Sequence, residues 1–135
     1  MIRYMLDTNA CIGVINGHPP SLRERLLRIS PGDVAISQIV RYELEFGVCS
    51  SRHHQRNRAN LQHFLKYVQV LDWSSGQSTE AAQVCCELSR TGRPIGHYDT
   101  LIASHARSLN VILVTHNTGE FGRVAGLEIQ DWESL

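Results

Sequence analysis

Four carboxylic acids occupy positions where a folding chain gains little from placing them: Asp7, Glu43, Asp99 and Glu120. Asp7 ends a short strand-like run at residues 3–6. Glu43 sits at the edge of a helical apolar face formed by Ile39, Val40, Leu44, Gly47 and Val48. Asp99 shares a helical face with Ile102, Ala103 and Ala106, in a first turn where the helix dipole favours negative charge. Glu120, with Thr115 and Asn117, follows the apolar run Val111 to Val114. Each acid alone has a simpler explanation: a helix cap for Asp7 or Asp99, an ion pair with Arg41 or another arginine for Glu43. Together they imply more. Carboxylates a few ångströms apart raise one another's pKa unless a cation joins them. Oxygen donors without Cys or His spacing favour Mg²⁺ or Mn²⁺ over Zn²⁺. Such a pocket suits metal-assisted phosphodiester hydrolysis.

The elements that must position these acids alternate in type. Strands are expected at 3–6, 34–37, 68–71, 111–114 and 127–130. Helices are expected at 9–16, from Pro19-Pro20 to Ile29, and at 38–49, 53–67, 76–90, 97–109 and 119–124. Asp7 or Thr8 would cap the first helix, and Pro31-Gly32 marks a turn. Alternating strands and helices predict a central, mainly parallel sheet covered on both faces, an α/β/α arrangement. In such sheets the carboxyl ends of the strands carry the site, where Asp7 and the 115–120 segment fall.

Composition sets the outer bounds. The 135 residues fit one domain, spanning 1–135, with 42% apolar residues to build its core. There is no apolar run long enough for a membrane helix and no leader-like N-terminus, so a soluble cytoplasmic protein is expected. Thirteen basic residues balance thirteen acidic ones, so nucleic-acid contact must come from a local cluster. The interval between Glu45 and Asp72 contains no acid but holds Arg52, Arg56, Arg58 and Lys66, with His53, His54 and His63. That cluster is either an RNA-contacting patch or a solvated helix face. Tyr98 is a candidate to stack on an unpaired base. His97, His105 and His116 flank the acids without metal-site spacing and read as structural or phosphate-contacting groups. Cys11, Cys49, Cys85 and Cys86 form no Cys-x-x-Cys pair and are expected to be reduced thiols.

Motifs across nearly the whole chain resemble the PIN-domain ribonucleases, and more narrowly the VapC toxins of bacterial VapBC toxin–antitoxin systems. They are Leu6-Asp7-Thr8-Asn9, Ser37 six residues before Glu43-Leu44, Gly47, the stretch from Gly92 through Asp99 to Ala103, Val114-Thr-His-Asn-Thr-Gly-Glu-Phe121 and Asp131-Trp132. The resemblance implies a single PIN domain and Mg²⁺- or Mn²⁺-dependent endoribonuclease activity. It implies Asp7 and Asp99 as principal metal ligands, Glu43 as a third acid and Thr115 as the hydroxyl that orients the attacking water. Many family members carry Asp where this chain has Asn117, so either Glu120 or Asn117 takes the fourth position. The Arg-Pro-Ile-Gly stretch resembles the subgroup that cuts initiator tRNA, tRNA(fMet), in its anticodon loop. The family further implies a VapB antitoxin, for which Leu22, Leu26, Leu27 and Ile29 could line a groove, and a toxin homodimer or a toxin–antitoxin hetero-oligomer.

Rival readings fare less well. A receiver-like signalling domain needs a Lys after its last buried strand, and Lys66 is the only lysine. A nucleotide-binding module needs a glycine-rich phosphate loop that this chain lacks. A PIN domain that binds RNA without cutting it remains the main alternative, motivated by Asn117.

Overall fold

A computed structural model describes residues 1–134. Its centre is a five-stranded parallel sheet: β1 (Tyr4–Leu6), β2 (Val34–Ser37), β3 (Gln69–Leu71), β4 (Ile112–Val114) and β5 (Ile129–Gln130). The strand order is β3-β2-β1-β4-β5. In register, Tyr4 faces Val34 on one side and Ile112 on the other, while Leu6 faces Val114. All residues of β1 and β2 are buried, as continuous apolar strands covered on both faces should be. The expected α/β arrangement with a parallel central sheet is therefore observed.

Seven helices complete the described fold: α1 (Thr8–Asn16), α2 (Pro20–Leu27), α3 (Gln38–Cys49), α4 (His54–Phe64), α5 (Ser75–Arg90), α6 (His97–Leu109) and α7 (Thr118–Phe121). The sequence pattern overestimates several element ends. The fourth helix stops at Phe64 rather than residue 67 because Leu65, Lys66 and Tyr67 form turn-like bonds back to Leu61, His63 and Phe64. The second ends at Leu27 in the same way, and a single 3₁₀ turn fills Pro31–Asp33. Helix α1 ends at Gly17, whose φ of 71° suits a residue without a Cβ; the Arg23 guanidinium packs over it and donates to the Val14 and Ile15 carbonyls. All four cysteines are free, with only Cys11 buried.

The chain leaves β1 toward β2 and β3 on one side and returns to β4 and β5 on the other. The topological switch point therefore lies between β1 and β4, where open parallel sheets leave a crevice. Asp7 and Thr115 are the first residues beyond those two strands. Arg107 braces the helix that carries Asp99, with ion pairs at 2.6 Å to Glu80 and 2.8 Å to Glu87 and a 2.9 Å bond to the Ala125 carbonyl. At the far edge Trp132 is buried, edge-on to Tyr4 at 5.3 Å between ring centroids, and its indole N–H donates to Gln130. Trp132→Ala would remove this seal and leave a cavity. The expected loss is about 3–5 kcal/mol of unfolding free energy, measurable by urea denaturation; a loss below about 1 kcal/mol would show that β5 is not anchored this way.

Candidate active site

Asp7 directly follows β1 and is the N-cap of α1. Its backbone N–H donates to the Val114 carbonyl at 3.1 Å, and its Oδ1 accepts from the Ala10 N–H at 2.7 Å. Asp7, not Thr8, is thus the cap. The side chain is 4% exposed. Burial pushes its pKa up; the Thr115 hydroxyl and the Ala10 amide work against that rise, while Glu133 and Glu43 add to it. Thr115 is itself buried and accepts from the Asn117 N–H at 3.0 Å.

Thr8, released from capping, donates its hydroxyl to Glu43 Oε1 at 2.5 Å. The alternative of a Glu43–arginine ion pair is not observed: Arg41 instead pairs with Glu45. Glu45 is held by both Arg41 and Arg58, and its pKa is lowered chiefly by the Arg58 hydrogen bond.

Asp99, half-buried in the first turn of α6, has its pKa raised to about 6, by burial first and then by Glu120, Glu43 and Asp7. The other three acids singled out from sequence therefore all act on Asp99, and Glu43 acts on Asp7 as well. Asn117 donates its side-chain amide to Glu120 Oε2 at 3.1 Å, so the two candidates for the fourth position form one unit. Among the described residues, no Lys or Arg forms an ion pair with Asp7, Glu43, Asp99 or Glu120. Oxygen-only donors, the raised pKa values of Asp7 and Asp99 and the lack of a basic partner suit a hard divalent cation.

The histidines divide. His105 is buried, its pKa pushed down by that burial, and its Nδ1 lies 2.8 Å from Ser37 Oγ. Because Ser37 caps α3, this contact ties the helix of Asp99 to the start of the helix of Glu43. His116 is exposed and lies 2.9 Å from Asp131 and 3.8 Å from Glu133. Its pKa is raised mainly by the Asp131 hydrogen bond. Sequence reasoning passed over Glu133. Its signal was position: it lies three residues past β5, at the same sheet edge as Asp7.

Of the cation cluster, Arg52, Arg56 and Lys66 are exposed, whereas Arg58 is committed to Glu45. The leucines expected near a groove also split. Leu22 and Leu26 are buried in the core, while Leu27 is 60% exposed. Leu26 and Leu27 line a cavity of about 320 Å³ with Val14, Ile15, Phe64 and Tyr67. It shares Ile15 and Asn60 with a second cavity of about 220 Å³ that reaches Glu43.

Residues 4–127 match the PIN domain family. The tRNA(fMet)-specific endonuclease VapC of Shigella flexneri is 43% identical over 132 residues, 98% of this chain and 99% of that protein. DNA-bound VapBC from Salmonella typhimurium contains a chain that superposes with a TM-score of 0.93 at 39% identity, covering 98% of this chain and 99% of that one. VapBC2 from Rickettsia felis, bound to a fragment of its promoter, gives 0.91 at 39% identity, with the same coverage.

The acid cluster has a thermodynamic signature. Asp99 binds its proton more tightly folded than unfolded, so the metal-free protein is penalised above about pH 6 and relieved as pH falls toward 3.8, the ordinary value for an aspartate. Because Asp99 is half-exposed, solvent screening discounts the effect to about 1–2 kcal/mol. Metal-free Asp99→Asn should therefore be more stable than wild type at pH 7, with the difference shrinking by pH 5. Thermal melts at both pH values test this; equal stability at pH 7 would refute the repulsion.

Proposed function

The chain belongs to the PIN domain family, and on that premise we propose that it is a metal-dependent endoribonuclease, the toxin of a VapBC-type pair, that cuts tRNA(fMet) in its anticodon loop. The observation that carries this reading is the set of four carboxylates without a basic partner, three of which raise the pKa of the fourth, Asp99. Near-full-length identity to a tRNA(fMet)-specific endonuclease supports the substrate.

Asp7 and Asp99 would hold Mg²⁺ or Mn²⁺, with Glu43 and the Asn117–Glu120 unit completing the donor set. When bound, the ion supplies Lewis-acid activation of water and offsets charge on the phosphate. The protein's own task is placement. The α1 cap fixes the Asp7 carboxylate, and Thr8 fixes that of Glu43. Thr115, buried beside Asp7, presents a hydroxyl that can orient the attacking water. Arg52, Arg56 and Lys66 are free to contact phosphates of the stem.

A VapB-type antitoxin segment would lie along the two linked cavities, entering over Leu27 and ending at Glu43. That path explains how one partner could both bind an apolar groove and block the acids. No helix among the described residues is long and apolar enough to cross a membrane.

The test is incubation of antitoxin-free protein with tRNA(fMet) in Mg²⁺ or Mn²⁺. Discrete anticodon-loop fragments should appear, vanish with EDTA and fall on the order of 100-fold or more in Asp7→Asn and Asp99→Asn. Asparagine still caps helices well, so Asp7→Asn removes charge while keeping the α1 start. Intact tRNA(fMet) in all lanes, with binding retained, would favour the non-cutting RNA-binding alternative.

A further inference from the structure

Two arginines flank the acid pocket from the elements that carry Asp99 and Glu120. Arg93 lies in the loop that leads into α6, and Arg123 follows α7, three residues after Glu120. The loop runs beside the acid itself: a Cβ added at Gly96 would lie 3.7 Å from Asp99 Oδ2. The Arg123 guanidinium donates to the Pro94 carbonyl at 3.0 Å and so bridges α7 to that loop. Both arginines are exposed, and neither forms an ion pair among the described residues. No acid occurs between Glu87 and Asp99, and Glu87 is itself held by Arg107. Nearby Arg90 has a local reason to be basic, since it sits in the last turn of α5 at the negative end of the helix dipole. Arg93 lies outside any helix, and Arg123 spends one of its five N–H groups on one carbonyl.

We propose that Arg93 and Arg123 form a phosphate clamp at the α6–α7 side of the acid pocket, holding the RNA backbone next to the scissile phosphate. This rests on the endoribonuclease reading. A pocket of carboxylates repels the polyanion it must admit. A divalent ion would offset charge at the scissile phosphate, but the phosphates beside it need cations of their own. Arginine suits the role because its planar fork can bond phosphate oxygens bidentately. The bond to Pro94 orients Arg123 and leaves the rest of the fork free. It also ties the loop before Asp99 to the element of Glu120, so the cations stay with the acids they flank.

The patch expected from sequence, Arg52, Arg56 and Lys66, lies on and around α4. That helix also lends Asn60 and His63 to the cavities proposed for the antitoxin segment. Arg93 and Arg123 line neither cavity, so they extend the cationic surface to the opposite pair of acid-bearing elements.

The experiment measures binding of a labelled tRNA(fMet) anticodon stem–loop by fluorescence anisotropy, from about 50 to about 200 mM KCl. The parent is the Asp7→Asn, Asp99→Asn protein, which should hold the RNA uncut. Into it go Arg93→Gln, Arg123→Gln, both together, Arg123→Lys and a remote charge control, Arg28→Gln, exposed at the end of α2. Each glutamine in the clamp should lower the slope of log affinity against log salt by about 0.7–0.9, equivalent to about 5-fold to 8-fold weaker binding near 0.1 M. Arg123→Lys should keep the parent slope, and Arg28→Gln should leave it unchanged. In protein with its acids intact, the same losses should fall on KM rather than kcat. Arg123→Gln also breaks the Pro94 bond; Arg93→Gln removes charge without breaking that tie and so tests the clamp by itself. Equal slopes for the parent and the double glutamine variant would overturn the clamp. So would a kcat loss at unchanged slope, an Arg28→Gln effect of the same size, or a changed oligomeric state in sedimentation. Wild-type protein that binds the RNA but never cuts it would instead refute the nuclease reading, while arginine-dependent slopes would still support the clamp.

Discussion

The structure turns on one buried carboxylate. Asp7 is where β1 becomes α1, and its side chain is spent on two tasks. It closes the first turn of a helix, and it presents negative charge to the crevice between β1 and β4. A carboxylate with 4% exposure costs stability unless something answers its charge. The Ala10 amide and the Thr115 hydroxyl answer part of it. The remainder is left for the divalent cation proposed to bind here. Asp7 thereby links the strand order to the chemistry: the order of the parallel strands reverses beside β1, and the residue at that reversal carries a buried negative charge.

Around it the fold adds charge of the same sign rather than removing it. Helices α3 and α6 bring Glu43 and Asp99, and the short α7 after β4 brings Glu120. Several arginines are engaged elsewhere: Arg41 and Arg58 hold Glu45, Arg107 holds Glu80 and Glu87, and Arg23 caps α1. The result is a site kept unpaired while its supports are well paired. Proteins tolerate such local cost where function requires it, because a ligand that binds only the folded state returns the stability on arrival. The tie between His105 and Ser37 fits this pattern. It fixes the spacing of α3 and α6 with an uncharged contact, adding nothing to the field at the acids.

Much of this was legible in the sequence. Apolar runs gave the strands, and helical periodicity placed Glu43 and Asp99 against their own apolar faces, which marked them as costly. What could not be read was partner choice between segments far apart in the chain. Nothing local says that Thr8 will serve Glu43 rather than cap α1, or that Arg58 will turn back to Glu45 instead of facing RNA. Both depend on how α1, α3 and α4 pack. Glu133 was missed for a related reason: β5 is two residues long, too short for periodicity to mark what lies beyond its end. Helix ends were overextended where apolar residues such as Leu65 and Tyr67 continue the pattern, although turn hydrogen bonds have already taken over.

The most direct check on the central claim, that these acids are held apart from every basic side chain in order to take a divalent cation, is the thermal midpoint of metal-free protein at pH 7 as Mn²⁺ is added. Wild type should rise by several degrees and saturate, since an ion at about 100 times its Kd adds roughly 2.7 kcal/mol. The Asp7→Asn, Asp99→Asn double variant should start higher and stay flat. A wild-type midpoint that does not move, or a double variant that responds equally, would contradict the account.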